Sequence, residues 1–419
     1  MAQPRVIILA AGKGTRMKSD MPKVLHPLCG KAMIDYVLDV ARSSSSLIYV
    51  VLGHQSQAVK AHLSAQVMVI YQKKLLGTAD AIRAVASKLK GYRGDVVILS
   101  GDAPLLRKES LKCLVRTHQQ SKAACTVVTV ELKNPTGYGR VMRDSRGDPK
   151  AICEEKDASV NEKRIQEINT GIYCFKAQAL LGGLKKISLN AKKKEYYLTD
   201  IIAILVNQGQ KISAMMLKDV EEGLGINTRK DLAMADAVMR GRILDRLMQE
   251  GVSIVDPQTT YIDANVKIGR DTVIRPCTVI ESNVVIGRRC SIGPFCHLRP
   301  KTHIKDEACV GNFAEVSRST LGPRSLMKHF SFLGDATVGP DVNIGAGVVT
   351  ANYDGKNKNK TMIAQGAFIG SDSILVAPVT IGEKAVTGAG CVVTKGKRVP
   401  KGQIILGVPG KILKRGKRL

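Results

Sequence analysis

The stretch "LAAGKGTRM", residues 9–17, sets two glycines, a lysine and an arginine directly behind the apolar run "RVII". Such a run followed by glycine reads as a β-strand entering a turn. A glycine-rich turn lets main-chain N–H groups approach an anion, and Lys13 and Arg16 add positive charge, so the chemistry on offer is phosphate binding. Two familiar phosphate loops do not fit. A P-loop needs a glycine five residues before Gly12, where Ile7 stands, and the dinucleotide fingerprint needs its third glycine at Met17. A second stretch, "SGDAPL", places Asp102 just behind the strand-like run "DVVIL". Both stretches fall at carboxyl ends of strands, where open α/β sheets bind ligands. An aspartate there also suits a turn or a helix cap.

The elements that must position these residues follow two patterns. Over residues 5–226, the strand-like runs "RVIILAA", "LIYVVLG", "VMVIY", "DVVILS" and "CTVVTV" alternate with helical ones. In "TADAIRAVASKL", Ala79, Ile82, Val85 and Leu89 share one helical face. This predicts a layered α/β domain with a mostly parallel sheet. From residue 228 to about 249 the period is helical, with Leu232, Ala235, Met239, Ile243 and Leu247 in a stripe.

From Ile262 the period becomes six: Ile262, Ile268, Ile274, Ile280, Ile286, Ile292, Leu298, Ile304, Val310 and Val316. The phase resets, returns through Val338, Ile344 and Thr350, breaks at "ANYDGKNKNKTM", and resumes at Ile363, Ile369, Leu375, Ile381, Thr387 and Val393. A hexapeptide period predicts a parallel β-helix in which three short faces close one triangular coil. Glycine after many inward residues, as in "IGRD", "IGRR", "IGPF" and "IGAG", is expected to serve corners with unusual backbone angles. The interruption over residues 352–362 predicts a projecting loop, where function is expected. The bounds are 1–227 for the α/β domain, 228–250 for a connecting helix and 251–419 for the β-helix.

Bulk composition narrows the partners. The chain has 419 residues, 44% of them hydrophobic, a formal charge of +28, and ten cysteines without a CxxC pair. No signal peptide is read at the N-terminus, and no stretch nears the roughly 20 apolar residues that span a bilayer. Free thiols in a cytoplasmic protein are expected. The charge admits nucleic acid, an anionic membrane surface or small polyanionic substrates. With 4% aromatic residues and no Trp, a base-stacking platform is poorly supplied. The densest basic run is the tail "KILKRGKRL".

In one order the chain carries "LAAGKGTRM", "PKVLH", "LLGTADA", "SGDAPL", "GYGR", "EEKDA", "INTGIY", "YYLTD" and "GIN", then hexapeptide repeats and "NIGAGVVTANYDGKNK". This resembles the bacterial GlmU family over nearly the whole chain. Its members are bifunctional enzymes that make UDP-N-acetylglucosamine, with a Rossmann-like uridylyltransferase domain and a left-handed β-helix acetyltransferase domain. "LAAGxGTRM" followed by "PK" is specific for sugar nucleotidyltransferases; a lone hexapeptide repeat would be weak.

The resemblance implies that the opening turn cradles a nucleotide, with UTP and acetyl-CoA as co-substrates and Mg²⁺ as the metal. Asp102 and Asn227 would hold Mg²⁺, whose preference is for few hard oxygen ligands with water completing the shell. Arg16 and Lys23 would stabilise the phosphates. Leu9, Ala10, Ala11, Gly12, Gln72, Gly77 and Thr78 would line the uridine side, Gln72 reading the base edge. Gly139, Glu154 and Asn169 would position the sugar. Bland alternatives exist: Asn227 as cap of the following helix, Glu154 as a surface partner of Lys156.

For acetyl transfer the resemblance implies His329, in "MKHFSFLGD", as general base, because a free amine must attack a thioester. Arg299 would hold the sugar phosphate, and Asn343, Asn352 and Lys358 the sugar. Tyr353 would lie on the projecting loop, and Ala346, Asn352, Ser371 and Ala389 would border acetyl-CoA. A homotrimer with sites between adjacent β-helices is implied, with small anionic substrates and no nucleic-acid or transmembrane role. The chain departs from the family at Ser317 (usually lysine), Phe332 (usually tyrosine) and Gly407 (near a CoA-binding arginine), and looks a couple of coils short before Arg299. Arg318 beside Ser317 is a doubtful substitute, since neighbours along a strand point opposite ways. The alternative reading is a uridylyltransferase whose β-helix chiefly assembles the trimer.

Overall fold

The computed structural model describes residues 3–190 and 194–413. Of the basic tail, residues 414–419 lie outside the described residues. The chain divides into two compact units, the first ending at Asp236 and the second taking Ala237 onward together with Cys29–Lys31. All ten cysteines are free, and among the described residues no helix is long and apolar enough to cross a membrane.

The first unit is built on seven main strands: β1 (Arg5–Ala10), β2 (Ile48–Leu52), β3 (Met68–Tyr71), β4 (Asp95–Ser100), β5 (Cys125–Glu131), β6 (Glu167–Lys176) and β7 (Ile212–Met216). Their spatial order is β7-β5-β6-β4-β1-β2-β3. Every pair is parallel except those of β6, which runs antiparallel to β4 and β5. Side chains alternate across the sheet, so Val6 and Ile8 enter one core while Ile7 enters the other, each covered by helices. Helix Thr78–Leu89 buries Ala79, Ile82, Val85 and Leu89, the face its sequence spacing specifies.

Helix Arg229–Gln249 buries Ala235, Met239, Ile243 and Leu247, with Leu232 half-buried. Its first turn is closed reciprocally: the Asp231 N–H donates to Thr228 Oγ1 at 3.1 Å and the Thr228 N–H to Asp231 Oδ2 at 2.8 Å. The cap is therefore Thr228, and the Asn227 side chain is left to point elsewhere.

The second unit is a triangular parallel β-helix of three strand stacks. Ile262, Ile280, Leu298 and Val316 stack on one face at intervals of one 18-residue coil. Two coils are one residue shorter, since Val316 pairs with Leu333 and Leu321 with Val338. That shortening is the phase reset, and Leu321, Met327 and Leu333 are the buried inward residues hidden by it. Thr350 pairs with Leu375, the coil between them swollen by the projecting loop.

The corner glycines meet the sequence expectation at one of the four motifs, where Gly293 of "IGPF" takes φ +89°, and correct it at the other three. Gly269, Gly287 and Gly345 do not adopt positive φ; that conformation falls two residues further on, at Asp271, Arg289 and Gly347. Glycine is required instead by close backbone approach between coils. A Cβ on Gly269 would lie 2.7 Å from the carbonyl carbon of Gly287, and one on Gly345 would lie 2.6 Å from the Ser371 nitrogen. Gly269→Ala is thus expected to destabilise the β-helix by about 1–3 kcal/mol through overpacking. Gly182→Ala, in helix Ala177–Leu184 with nothing within 4 Å, is expected to stabilise by about 0.4–1 kcal/mol. Thermal unfolding of both variants checks the contrast; a raised midpoint for Gly269→Ala contradicts the close-approach account.

Candidate active sites

A cleft of about 580 Å³ opens at the carboxyl ends of β1–β4. Leu9, Ala10, Ala11, Gly12, Lys23, Gln72, Gly77, Thr78, Asp102 and Glu154 line it together. After β1 the chain turns at Gly14, whose φ is +62° and where a Cβ would fall 2.8 Å from that of Lys23. Glycine there lets the turn close over the lysine.

At the mouth the charged groups converge. Lys23 Nζ pairs with Asp102 Oδ2 and donates to Asn227 Oδ1 at 3.0 Å, and Arg16 Nη2 donates to the same oxygen at 2.8 Å. Ser100 Oγ donates to Asp102 Oδ1 at 2.5 Å. Two oxygen donors from distant parts of the chain, a carboxylate and a carboxamide, thus face one cation, the ammonium of Lys23. Hard oxygens presented to a cation at the edge of an open cleft suit Mg²⁺, which keeps most of its shell for water and phosphate. Among the described residues no group of three or more His, Cys, Asp or Glu could hold a metal.

At the other end Thr199 Oγ1 donates to Glu154 Oε1 at 2.9 Å. Burial raises the Glu154 carboxyl above its ordinary value, and the Thr199 hydrogen bond only partly offsets it. Glu154 therefore faces the cleft rather than pairing with Lys156 on the surface. Gly139 lies beside it, and the Asn169 N–H donates to Gly139 O at 2.9 Å. The Asn169 carboxamide donates to Tyr173 Oη at 2.7 Å. Gly139, Asn169, Arg16 and Asn227 adjoin the cleft through these contacts rather than forming its wall.

In the β-helix the register sorts the candidate residues into two corner columns. Met327, Ile344, Ile369 and Thr387 are stacked, so His329, Ala346, Ser371 and Ala389, each two residues on, occupy one corner in successive coils. His329 is exposed. Leu298, Val316, Leu333 and Thr350 are stacked likewise, which puts Arg299 and Ser317 at a second corner, three and two coils respectively from Asn352 and the loop bearing Tyr353 and Lys358. Asn343 lies outward on the face before the first column. A single chain therefore holds these residues on separate edges rather than in one cleft.

The loop is organised by Asp354, which accepts from the Asn357 N–H at 2.7 Å, the Lys356 N–H at 3.1 Å and the Asn359 side chain at 3.0 Å. Those donors hold its carboxyl well below the usual range.

Comparison with known proteins now decides the family. The nucleotidyl transferase family matches residues 5–229, and the bacterial transferase hexapeptide family, six repeats, matches residues 283–318. "Bifunctional protein GlmU" of Shouchella clausii is 43% identical over 422 residues, covering 93% of each chain. Proteins of the same name from Geobacillus sp. and Bacillus licheniformis are each 44% identical, over 428 and 422 residues, covering 94% and 93% of this chain and 93% and 92% of theirs. The chain belongs to the GlmU family.

Its departures from the GlmU pattern can now be placed. Ser317 is 2% exposed, and Arg318 beside it takes φ +48°, so the strand alternation that would send the two side chains apart does not operate at this corner. Arg318 Nη1 donates to Ser317 Oγ at 2.8 Å, while Nε and Nη2 grip both oxygens of Asp335 at 2.8 and 2.9 Å. Asp335 also accepts from Asn352, which is 8% exposed. The corner thus carries a guanidinium beside Ser317, where the resemblance implies an ammonium. Phe332 lies outward between Glu315 and Val349, without a hydroxyl to offer. Gly407 adopts φ +85° beyond the last inward strand residues.

Sequence reasoning missed His54, Gln55, Leu75, Ser100, Glu195 and Tyr197 as cleft residues. His54 follows β2 as Gly12 follows β1, so the strand-end rule already pointed to it. Glu195 and Tyr197 lie far along the chain, and no local pattern marks them. Burial pushes the Tyr197 hydroxyl up to about 12, so it stays a neutral donor at physiological pH.

Proposed function

We propose that this chain acetylates glucosamine 1-phosphate with acetyl-CoA and then transfers UMP from UTP to N-acetylglucosamine 1-phosphate, releasing pyrophosphate. The observation that carries the reading is the meeting of Arg16, Lys23, Asp102 and Asn227 at the mouth of a cleft formed behind the "LAAGKGTRM" turn. In the second reaction an oxygen of the sugar phosphate forms a bond to the α-phosphorus of UTP, and the bond from that phosphorus to the bridging oxygen of pyrophosphate breaks. No protein nucleophile is needed; alignment and charge neutralisation are.

Asp102 and Asn227 would hold Mg²⁺, which when bound neutralises phosphate oxygens. Arg16 and Lys23 bind the triphosphate and the departing pyrophosphate, and the main chain at Gly12 offers its N–H to the same anion. Leu9, Ala10, Ala11, Gln72, Gly77 and Thr78 enclose the uridine. Gly139, Glu154 and Asn169 orient the sugar.

Because Glu154 is raised by burial, the folded protein disfavours its ionised form. Its contribution to stability is full below the ordinary glutamate value and is lost as pH rises through the raised one. Glu154→Gln is therefore expected to melt higher than the parent at pH 8, with the difference vanishing as pH falls below 5. Its KM for N-acetylglucosamine 1-phosphate should rise about tenfold, for one charged hydrogen bond lost. Melting curves across pH with steady-state kinetics check both; an unchanged KM removes Glu154 from the sugar site.

For acetyl transfer, His329 takes a proton from the amine as nitrogen attacks the thioester carbonyl and CoA thiolate leaves. Arg299 and the neighbouring guanidinium of Arg318 meet the sugar phosphate, with Asn343, Asn352 and Lys358 on the sugar. Ala346, Asn352, Tyr353, Ser371 and Ala389 border acetyl-CoA. Since one chain keeps the two corner columns on separate edges, a homotrimer that brings one column against the other between copies completes the site. The enzyme is cytoplasmic on this reading, and part of its +28 charge serves small anionic substrates.

Phe332 favours a second reading, in which the β-helix only assembles the trimer. The test is incubation with acetyl-CoA and glucosamine 1-phosphate, without UTP, followed by mass detection of N-acetylglucosamine 1-phosphate. Product supports the bifunctional reading. Its absence, with uridylyl transfer intact, supports the scaffold.

A further inference from the structure

Gln72 follows β3 in the wall of the nucleotide cleft and is 7% exposed. Its Nε2 donates to Gly77 O at 3.1 Å and to Asp80 Oδ2 at 2.8 Å. A carboxamide nitrogen has two hydrogens, and these two bonds use both. A main-chain carbonyl and a carboxylate can only accept, so the amide cannot be turned over without facing its own oxygen to two acceptors. The orientation is dictated by chemistry. What Gln72 retains for a ligand is Oε1, an acceptor alone.

Asp80 makes this arrangement firm. It stands in the first turn of helix Thr78–Leu89, where a negative charge is favourable, and it reaches back over the loop to Gln72. The Gly77 carbonyl by itself would occupy one amide hydrogen and leave the other free. With Asp80 present, no donor is left.

We propose that Asp80 is a specificity-determining positioning residue: by locking the Gln72 amide, it presents the cleft with an acceptor only and so selects a pyrimidine whose ring N3 carries a hydrogen. Uracil donates N3–H to Gln72 Oε1. Cytosine sets the lone pair of its own N3 against that oxygen, and a buried acceptor with no donor is strongly disfavoured. Sites that hydrogen-bond a substrate group discriminate sharply against analogues lacking it, so UTP should exceed CTP in kcat/KM by at least about 100-fold. The proposal rests on the uridylyltransferase reading above.

The test is kcat/KM with UTP and with CTP, at saturating N-acetylglucosamine 1-phosphate, for the full-length parent, Asp80→Ala and Asp80→Leu. Both variants remove the acceptor, and the leucine keeps bulk and helix propensity should the alanine variant fold poorly. The UTP-to-CTP ratio is expected to fall at least about tenfold in each, with the CTP value unchanged or raised. A merely structural loss would lower both substrates together and leave the ratio unmoved. A ratio preserved within about threefold overturns the proposal while leaving the uridylyltransferase reading intact. A parent protein that uses neither nucleotide overturns that reading and the proposal with it.

Discussion

Asp102→Asn is expected to lower kcat for uridylyl transfer by at least about 1,000-fold while acetyl transfer stays within about twofold of the parent. The substitution preserves size and keeps an oxygen for the Ser100 hydroxyl, so the fold loses little. What disappears is the negative charge facing Lys23 and Asn227. A neutral carboxamide binds a divalent cation weakly, and the crowded phosphate oxygens of two anionic substrates then lack their counter-charge. Lys23 and Arg16 remain, sharing the Asn227 oxygen, so the site becomes more positive and ground-state binding of UTP is retained. The diagnostic is therefore a collapse in kcat with KM for UTP unchanged or lower. Titration with Mg²⁺ to tens of millimolar should recover part of the loss. Equal loss of both activities in a folded variant would contradict two independent sites.

His329→Ala is expected to do the reverse, reducing acetyl transfer by about 10²–10⁴-fold, the usual contribution of a general base, with uridylyl transfer unchanged. That range corresponds to about 2.7–5.5 kcal/mol of transition-state stabilisation. His329 is exposed on its corner, and substitution of an exposed side chain ordinarily shifts stability by less than about 0.5 kcal/mol. Lost activity would then report chemistry and not unfolding. Partial recovery by added imidazole would mark the loss as that of a base. Retention of acetyl transfer within about threefold would place the base elsewhere. Product detection by mass avoids interference from the ten free thiols.

Much of the architecture was legible because local patterns report local burial. Alternation in "RVIILA" and the 3.6 period of Ala79, Ile82, Val85 and Leu89 each record which side of an element meets the core. The hexapeptide period records the stacking of one coil on the next, because in coils of regular length each inward residue meets its counterpart 18 positions away. Where two coils shorten by a residue the pattern slipped, and Leu321, Met327 and Leu333 were hidden although fully buried. The corner glycines were legible as corners; the cause was read correctly at Gly293 and misread at Gly269, Gly287 and Gly345. A sequence shows that a side chain is absent, and only the neighbouring coil shows that its backbone lies where a Cβ would be.

The candidate site divides along the same line. The motifs of this chain by themselves determined its family resemblance, its α/β and β-helical halves, and most of the residue types in the nucleotide cleft, since strand ends and glycine turns carry local signatures. Only the tertiary structure decided that Asn227 meets Lys23 across the fold while Thr228 caps the helix, that Arg318 leans onto Ser317, and that Asp80 orients Gln72. Each of these depends on where a side-chain donor finds an acceptor. Hydrogen bonds reach only about 3 Å and have direction, so they are settled after packing has fixed the backbone.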